Sequence, residues 1–213
     1  MNKLIQFLIE RYPDILFRMW EHLYISFIAV VLGFLVAVPL GIFLSRTEKL
    51  SQYVIGVVNM AQTIPSLALI GFLIPFMGIG LKPAIAALFL YSLLPMLRNT
   101  YVGIREVNPS LKEAAKGMGM TSLQTLVMVE IPLALPVIMA GFRTASIYTV
   151  SWATLAALVG AGGIGYLIFT GMAIFNNVYI IVGAVATAVL AIIVDWLTRM
   201  LQKACTPAGL QKQ

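Results

Sequence analysis

The sequence offers few side chains that could carry out catalysis or hold a metal ion. Its single histidine, His22, and its single cysteine, Cys205, are too few to form a zinc site of the usual kind. No phosphate-binding sequence of the G-x-x-x-x-G-K-[ST] type occurs, and no acid pair or nucleophile–base arrangement stands out. We therefore expect a chain that is not an enzyme and binds no cofactor of its own.

A glycine-rich stretch at residues 160–165 matches the G-x-G-x-x-G pattern of dinucleotide-binding sites. Such a site needs a strand before it, a helix after it and an acidic residue about 20 positions further on. Here an apolar segment comes first, and the next acidic residue, Asp195, lies thirty positions after Gly165. We interpret the stretch as a flexible turn on the outer side of the membrane, near the mouth of a passage.

Polar and aromatic side chains also occur inside apolar segments, where they either line a passage or pack against neighbouring helices. Arg143 needs a partner or water, because a charge at the centre of a membrane helix costs about 2.5–3.5 kcal/mol. Asp195 and Arg199 are spaced to pair on one helix. The candidate pathway residues are Asn59, Gln62, Thr63, Tyr91, Arg143 and Trp152.

The composition indicates that lipid is the solvent of these segments. Of the 213 residues, 61% are hydrophobic and 10% charged, with a mean hydropathy of +0.97, whereas soluble domains carry about 25% charged residues. We predict an all-α polytopic membrane protein with one domain, residues 1–213. Since a crossing takes about 20 apolar residues, five spans are expected. They cover residues 22–44, 53–79, 83–97, 136–158 and 178–194.

The remaining segments are assigned from charge and glycine content. Residues 1–21 are expected to lie at the membrane surface, and residues 203–213 to form a cytoplasmic tail. Residues 157–174 hold five glycines and favour a broken or re-entrant segment over a sixth span. Basic residues follow spans one, three and five, which predicts an external N-terminus and a cytoplasmic C-terminus.

Small residues recur at every fourth position of the first span, at Ala29, Gly33, Ala37 and Gly41. Such a strip allows another helix backbone to approach closely. It predicts a packing seam, either with a helix of this chain or with a partner.

Residues 108–130 form the long loop on the predicted cytoplasmic side. Pro109 and Ser110 resemble a helix start, with Ser110 as cap and Glu113 completing a capping box. Gly117 and Gly119 end that helix, and a second helix is expected over residues 122–130. A small helix–turn–helix exposed in this way suits docking into a groove on another protein.

The spacing of Glu113-Ala114-Ala115, Gly119 and a closing Ile131-Pro132 resembles the EAA loop of ABC-type importer permeases. The family pattern ends in Ile-x-Leu-Pro, and here Val129 and Ile131 occupy its two apolar positions. The resemblance implies that loop 108–130 contacts a cytoplasmic ATPase, with Glu113, Ala114, Ala115 and Gly119 as the coupling residues.

Further segments resemble permeases for osmoprotectants such as glycine betaine, carnitine and choline. They are residues 21–26, 62–68, 94–101, 140–145, 152–157 and 160–165. The five-span form is similar to the type I permease of the methionine importer, so an amino-acid substrate is the alternative. A quaternary ammonium solute would suit cation–π contact with Tyr91 or Trp152.

The resemblance also implies the setting of the chain. We expect the bacterial cytoplasmic membrane, a second permease subunit that is identical or paralogous, and an extracytoplasmic solute-binding protein. ATP and Mg²⁺ are expected on the ATPase subunits, and no nucleic acid is expected. A stand-alone secondary transporter would require inverted repeats or several buried ionisable residues, and a membrane enzyme would require a catalytic constellation.

Overall fold

The structure is a computed structural model that describes residues 2–206. Within this range every regular element is a helix. The α-helices are α1 (Asn2–Leu44), α2 (Glu48–Thr63), α3 (Ser66–Met77), α4 (Leu81–Arg105), α5 (Pro109–Gly117), α6 (Ser122–Thr125), α7 (Ile131–Trp152), α8 (Gly165–Ala173) and α9 (Asn177–Cys205). A π-helical stretch at Leu126–Glu130 precedes α7, and a 3-10 helix at Ala153–Val159 follows it.

Within residues 2–206, four helical segments are long and apolar enough to cross a membrane, and the count is five where the bent pair of α2 and α3 is taken as one broken span. The all-α polytopic fold is therefore confirmed. The helix that contains the fourth predicted span is longer than that span, because it continues from Ser122 through Pro132 and Pro136. Neighbouring helices in a membrane protein can satisfy the carbonyls that a proline leaves free.

Helix α1 shows no break at residue 21, where the sequence suggests that a surface segment ends. It runs through Pro13, and its 43 residues extend over about 65 Å at 1.5 Å per residue, roughly twice the hydrocarbon thickness of a bilayer. Its first half packs on the bundle, with Ile15 in a core cluster beside Leu167 and Val182. Arg18 pairs with Asp14 and Glu21 on the same helix and covers the ring of Tyr166.

The second predicted span is divided at Ile64-Pro65, where α2 and α3 meet at 97°. Proline disfavours helical geometry for the residue before it, and Ile64 is extended, with ψ of 127°. The hydroxyl of Tyr91 donates to the Ile64 carbonyl, and Gln62 Nε2 donates to the carbonyl of Tyr91 at 2.7 Å. Helix α4 thus supplies the polar contacts that a helix break needs within a membrane.

Residues 153–173 form the interrupted segment that the glycine content predicts. Helix α8 has nine residues, about 14 Å, which is too short to cross the hydrocarbon core. The turn before it has positive φ at Gly160, Gly162 and Gly163, and the backbone N–H of Gly163 donates to Glu21 Oε2 at 3.0 Å. The turn is therefore anchored to α1.

The small-residue strip of α1 packs against α4 of the same chain. Ala29 and Ala37 are fully buried, and a Cβ at Gly33 would lie 2.0 Å from Ser92 Oγ. A Cβ at Gly41 would lie 2.7 Å from Thr100 Cβ and 3.1 Å from the Leu97 carbonyl oxygen. The seam was expected to pack either with a helix of this chain or with a partner, and the structure shows a helix of this chain.

We expect Gly41→Ala to destabilise the folded chain by about 1–3 kcal/mol, because the added methyl overpacks the α1–α4 seam. Gly71→Ala is the matched control, since nothing lies within 4 Å of a Cβ there. Thermal unfolding of the purified protein in detergent measures both. Equal midpoints for the two variants would show that the seam tolerates the methyl.

Candidate functional site

Loop 108–130 begins with a capped helix, although the cap is one the sequence interpretation missed. Asn108 Oδ1 accepts a hydrogen bond from the Ser110 backbone N–H at 2.9 Å, with Pro109 at the first helical position. The predicted cap at Ser110 is therefore wrong, because Ser110 already lies inside α5. A capping box occurs one helix later, where Thr121 and Gln124 bond reciprocally at the start of α6.

The turn after α5 is a Schellman motif built around Gly119. This glycine has φ of +80°, and its N–H donates to the Lys116 carbonyl at 2.9 Å. The N–H of Met120 donates to the Ala115 carbonyl at 3.1 Å, which completes the motif. The left-handed conformation favours glycine at this position, so Gly119 sets the angle between α5 and α6.

The four predicted coupling residues do not all face outward. Glu113, Ala114 and Gly119 are exposed, whereas Ala115 is 1% exposed and packs within the protein. The loop also exposes large apolar side chains, namely Leu111, Met118, Leu123, Val127 and Met128. Exposed apolar groups on a segment that projects beyond the spans are typical of a surface that contacts another protein.

A charged pair joins the end of this loop to the body of the protein. Arg46, in the turn between α1 and α2, makes a two-point contact with Glu130: Nη1 lies 3.1 Å from Oε1, and Nη2 donates to Oε2. The Glu130 side chain is 2% exposed and that of Arg46 47%. Sequence reasoning missed this pair, because 84 residues separate its members. The only hint was an acidic residue beside the start of an apolar span.

An open cavity of about 500 Å³ lies between α2 and α4, near the end of the bundle that carries the loop. Polar groups of Ser51, Gln52, Asn59, Arg98 and Tyr101 line it, together with apolar side chains of both helices. Of the six predicted pathway residues, Asn59 alone is among those that line this cavity. Arg98 and Tyr101 escaped notice because the predicted third span ended at residue 97.

Three other pathway candidates come together at the α2–α3 break. Gln62 bonds the Tyr91 carbonyl, and the Tyr91 ring lies 4.7 Å from that of Trp152. Tyr91 is 4% exposed, so its hydroxyl and ring are occupied by protein contacts in this conformation. Thr63 is exposed, and its hydroxyl donates to the Met60 carbonyl at 2.7 Å. The hydrogen bonds of Gln62 and Ile64 with Tyr91 of α4 hold the break between the two helices.

Arg143 does not lie with the other candidates. Its Nε is 2.5 Å from Asp195 Oδ1, so the pair connects α7 with α9. The expected pairing of Asp195 with Arg199 on one helix is not the contact observed, because the guanidinium of Arg143 reaches the carboxylate from the neighbouring span. The arrangement favours a role for Arg143 in packing between neighbouring helices over a role in lining the passage.

We expect Asp195→Ala to lower the thermal midpoint by several degrees, since Arg143 would lose its charged partner inside a span. Replacing both residues, by Arg143→Met and Asp195→Leu, should recover most of that loss because no charge is left alone. Uptake kinetics of the double variant test the other interpretation: a markedly raised KM would place Arg143 in the pathway.

His22 is fully buried, and its Nε2 lies 2.8 Å from the Val150 carbonyl oxygen. This contact connects α1 with α7. Within residues 2–206 no group of three or more His, Cys, Asp and Glu side chains is arranged to hold a metal ion.

The sequence matches one family of transport proteins over most of its length. Residues 29–206 match the family described as "Binding-protein-dependent transport system inner membrane component". The chain is 53% identical to the glycine betaine/carnitine/choline transport system permease protein OpuCB of Bacillus subtilis, over 99% of this chain and 97% of that protein. It is 46% identical to the carnitine transport permease protein OpuCB of Listeria monocytogenes, over 100% of this chain and 97% of the relative.

The fold matches solved structures of an importer. A structure of inward-facing MetNI, a methionine ABC transporter, aligns with a TM-score of 0.82 and 26% identity, covering 91% of this chain and 96% of the other. A second crystal form of MetNI gives a TM-score of 0.79 at 27% identity, covering 88% and 94%. The bundle thus has the type I permease fold. The chain belongs to the binding-protein-dependent inner membrane components, the permease subunits of ABC importers, and is a multi-pass protein of the cytoplasmic membrane.

Proposed function

We propose that this chain forms the passage of an importer for quaternary-amine osmoprotectants such as glycine betaine, carnitine and choline. The 53% identity to the Bacillus subtilis permease, over nearly the whole of both chains, carries this proposal. An amino acid such as methionine is the alternative substrate. It is supported by a likeness of only 26–27% identity, about half of that to the osmoprotectant permease.

The energy is supplied by separate ATPase subunits, which bind ATP and Mg²⁺ and contact loop 108–130. Glu113, Ala114 and Gly119 are exposed there for such a contact, and Ala115 supports them from inside. A second permease subunit, identical or paralogous, completes the passage, and an extracytoplasmic protein delivers the solute. The N-terminus lies outside and the C-terminus inside, as the distribution of basic residues favours.

Import then follows from alternation between two states. ATP binding draws the ATPase subunits together and opens the passage outward, and hydrolysis returns it to the inward-facing form. The cavity between α2 and α4 is the part of the solute path nearest the loop. Its walls combine amide, hydroxyl and guanidinium groups with apolar side chains, as small-molecule sites do.

We expect Asn59→Leu to reduce solute uptake about tenfold, since it replaces an exposed amide of the cavity with an apolar group. Val57→Leu is the matched control, because Val57 is exposed on the same helix but does not line the cavity. Uptake by reconstituted vesicles measures both variants. A similar decrease in the two would argue against a path along this cavity.

Gentle purification of the tagged chain, followed by reconstitution in vesicles, tests the function itself. We expect an ATPase to co-purify, and ATP with loaded binding protein to drive uptake of labelled betaine, carnitine or choline. Uptake of methionine alone would favour the alternative substrate. Uptake by the isolated chain without ATP would instead indicate a secondary transporter.

A further inference from the structure

The Arg46–Glu130 pair lies where movement of the loop can reach the cavity. Helix α5 packs against α6 and the π-helical stretch Leu126–Glu130, and this stretch continues directly into α7. Any displacement of α5 by a bound protein is therefore transmitted to Leu126–Glu130. Single π-helical turns within α-helices occur frequently at functional sites, and this one ends at the residue that contacts Arg46.

The Arg46–Glu130 contact fixes the position of the two side chains relative to each other. Because Glu130 is 2% exposed, its carboxylate has lost its water and depends on a charged partner. The guanidinium of Arg46 meets both carboxylate oxygens, and two parallel hydrogen bonds define direction as well as distance. Apolar contacts nearby, such as those of Leu126 and Ile131 with the core cluster that contains Ile104, have no such directionality.

Arg46 in turn controls the start of α2. It lies two residues before this helix, and α2 supplies Ser51, Gln52 and Asn59 to the cavity wall. The charged contact that holds α2 to α4 at this end, Glu48 with Arg105, is 3.7 Å long, and both side chains are exposed, at 68% and 42%. Such exposed pairs contribute little. The Arg46–Glu130 contact is therefore the firmer polar connection of this turn.

We propose that Arg46 and Glu130 are positioning residues that transmit the movement of loop 108–130 to α2 and thereby couple ATP hydrolysis to opening of the cavity. The proposal rests on the function proposed above, in which the loop receives the ATPase. It concerns the yield of transport for each ATP hydrolysed. It does not concern the binding of ATP or of solute.

The test compares variants of two ion pairs in the reconstituted complex with loaded binding protein. Arg46→Met with Glu130→Met removes the link without leaving a buried charge alone, so folding should be kept. Glu48→Gln is the control, because it removes an exposed ion pair at the same end that does not involve the loop, and Arg105 keeps its hydrogen bond to Tyr101. Arg46→Lys keeps one charged contact. ATP hydrolysis, solute uptake and retention of the ATPase subunits are measured for each.

We expect the Arg46/Glu130 variant to retain its ATPase subunits and to hydrolyse ATP within about twofold of the wild-type rate. Solute transported per ATP should fall at least tenfold, with Arg46→Lys intermediate and the control unchanged. A wild-type transport ratio in the Arg46/Glu130 variant would overturn the proposal. Loss of the ATPase subunits in parallel with uptake would do so as well, since it shows a structural role only. Absence of ATP-driven uptake in the wild-type complex would instead refute the proposed function.

Discussion

Gly165→Ala should strongly destabilise the folded chain. A Cβ on Gly165 would lie 1.8 Å from the carbonyl oxygen of Thr154 and 2.7 Å from its carbonyl carbon. These are backbone atoms of the 3-10 helix at Ala153–Val159, so no side-chain rotation can relieve the overlap. Overpacking in a well-packed interior costs about 1–3 kcal/mol and occasionally more. Here we expect the upper end of that range or beyond.

The measurement is the monodisperse fraction of a fluorescent fusion after detergent extraction, followed by thermal unfolding of whatever remains. Gly56→Ala adds the same methyl to a helix where nothing lies within 4 Å, and it should behave as wild type. A Gly165→Ala protein with the wild-type midpoint would mean that α8 and the 3-10 helix are farther apart than the structure places them.

Gly119→Val should abolish most transport while leaving the membrane bundle intact. Nothing lies within 4 Å of a Cβ at Gly119, so a clash is not the reason. The cause is the φ of +80°, which costs roughly 1–2 kcal/mol for an ordinary residue and is least accessible to a β-branched one. The turn would open, and α5 would no longer present Glu113 and Ala114 as it does now. We expect ATP-dependent uptake to fall at least tenfold.

Two variants isolate this cause. Gly117→Val places the same side chain two residues away, on a helical glycine that also has open space around it, and should retain most uptake. Gly119→Asn should give an intermediate value, because asparagine tolerates the left-handed conformation. If Gly119→Val kept wild-type uptake and bound the ATPase subunits normally, the Schellman turn would have no part in coupling.

The features that the sequence predicts correctly are governed by local signals. Long apolar runs predict the candidate spans, and the glycines at residues 160–171 predict the interrupted segment. The ends of the helices in the loop also depend on local signals. The first cap is Asn108 and not the predicted Ser110, and both residue types cap helices well. Whether the four coupling residues contact an ATPase stays a prediction.

The features that remained hidden depend on contacts between distant parts of the chain. The i,i+4 spacing favours Asp195 with Arg199, but Arg143 lies 52 positions away and reaches the same carboxylate from another helix. The pair Arg46–Glu130 and the hydrogen bond of Tyr91 to Ile64 also join residues that are far apart in the sequence. The continuity of α1 could not be predicted from local sequence either, because the first half of this helix is held by packing against α8 and α9.

The shortness of α8 has a consequence for how the chain enters the bilayer during synthesis. A nine-residue helix cannot reside alone in hydrocarbon, because its unpaired backbone ends would lie within the lipid. Close contact between Gly171 and Tyr179, and between Gly183 and Ile168, shows that α9 is the surface on which α8 comes to rest. We therefore expect α8 and α9 to enter the membrane together, as one unit.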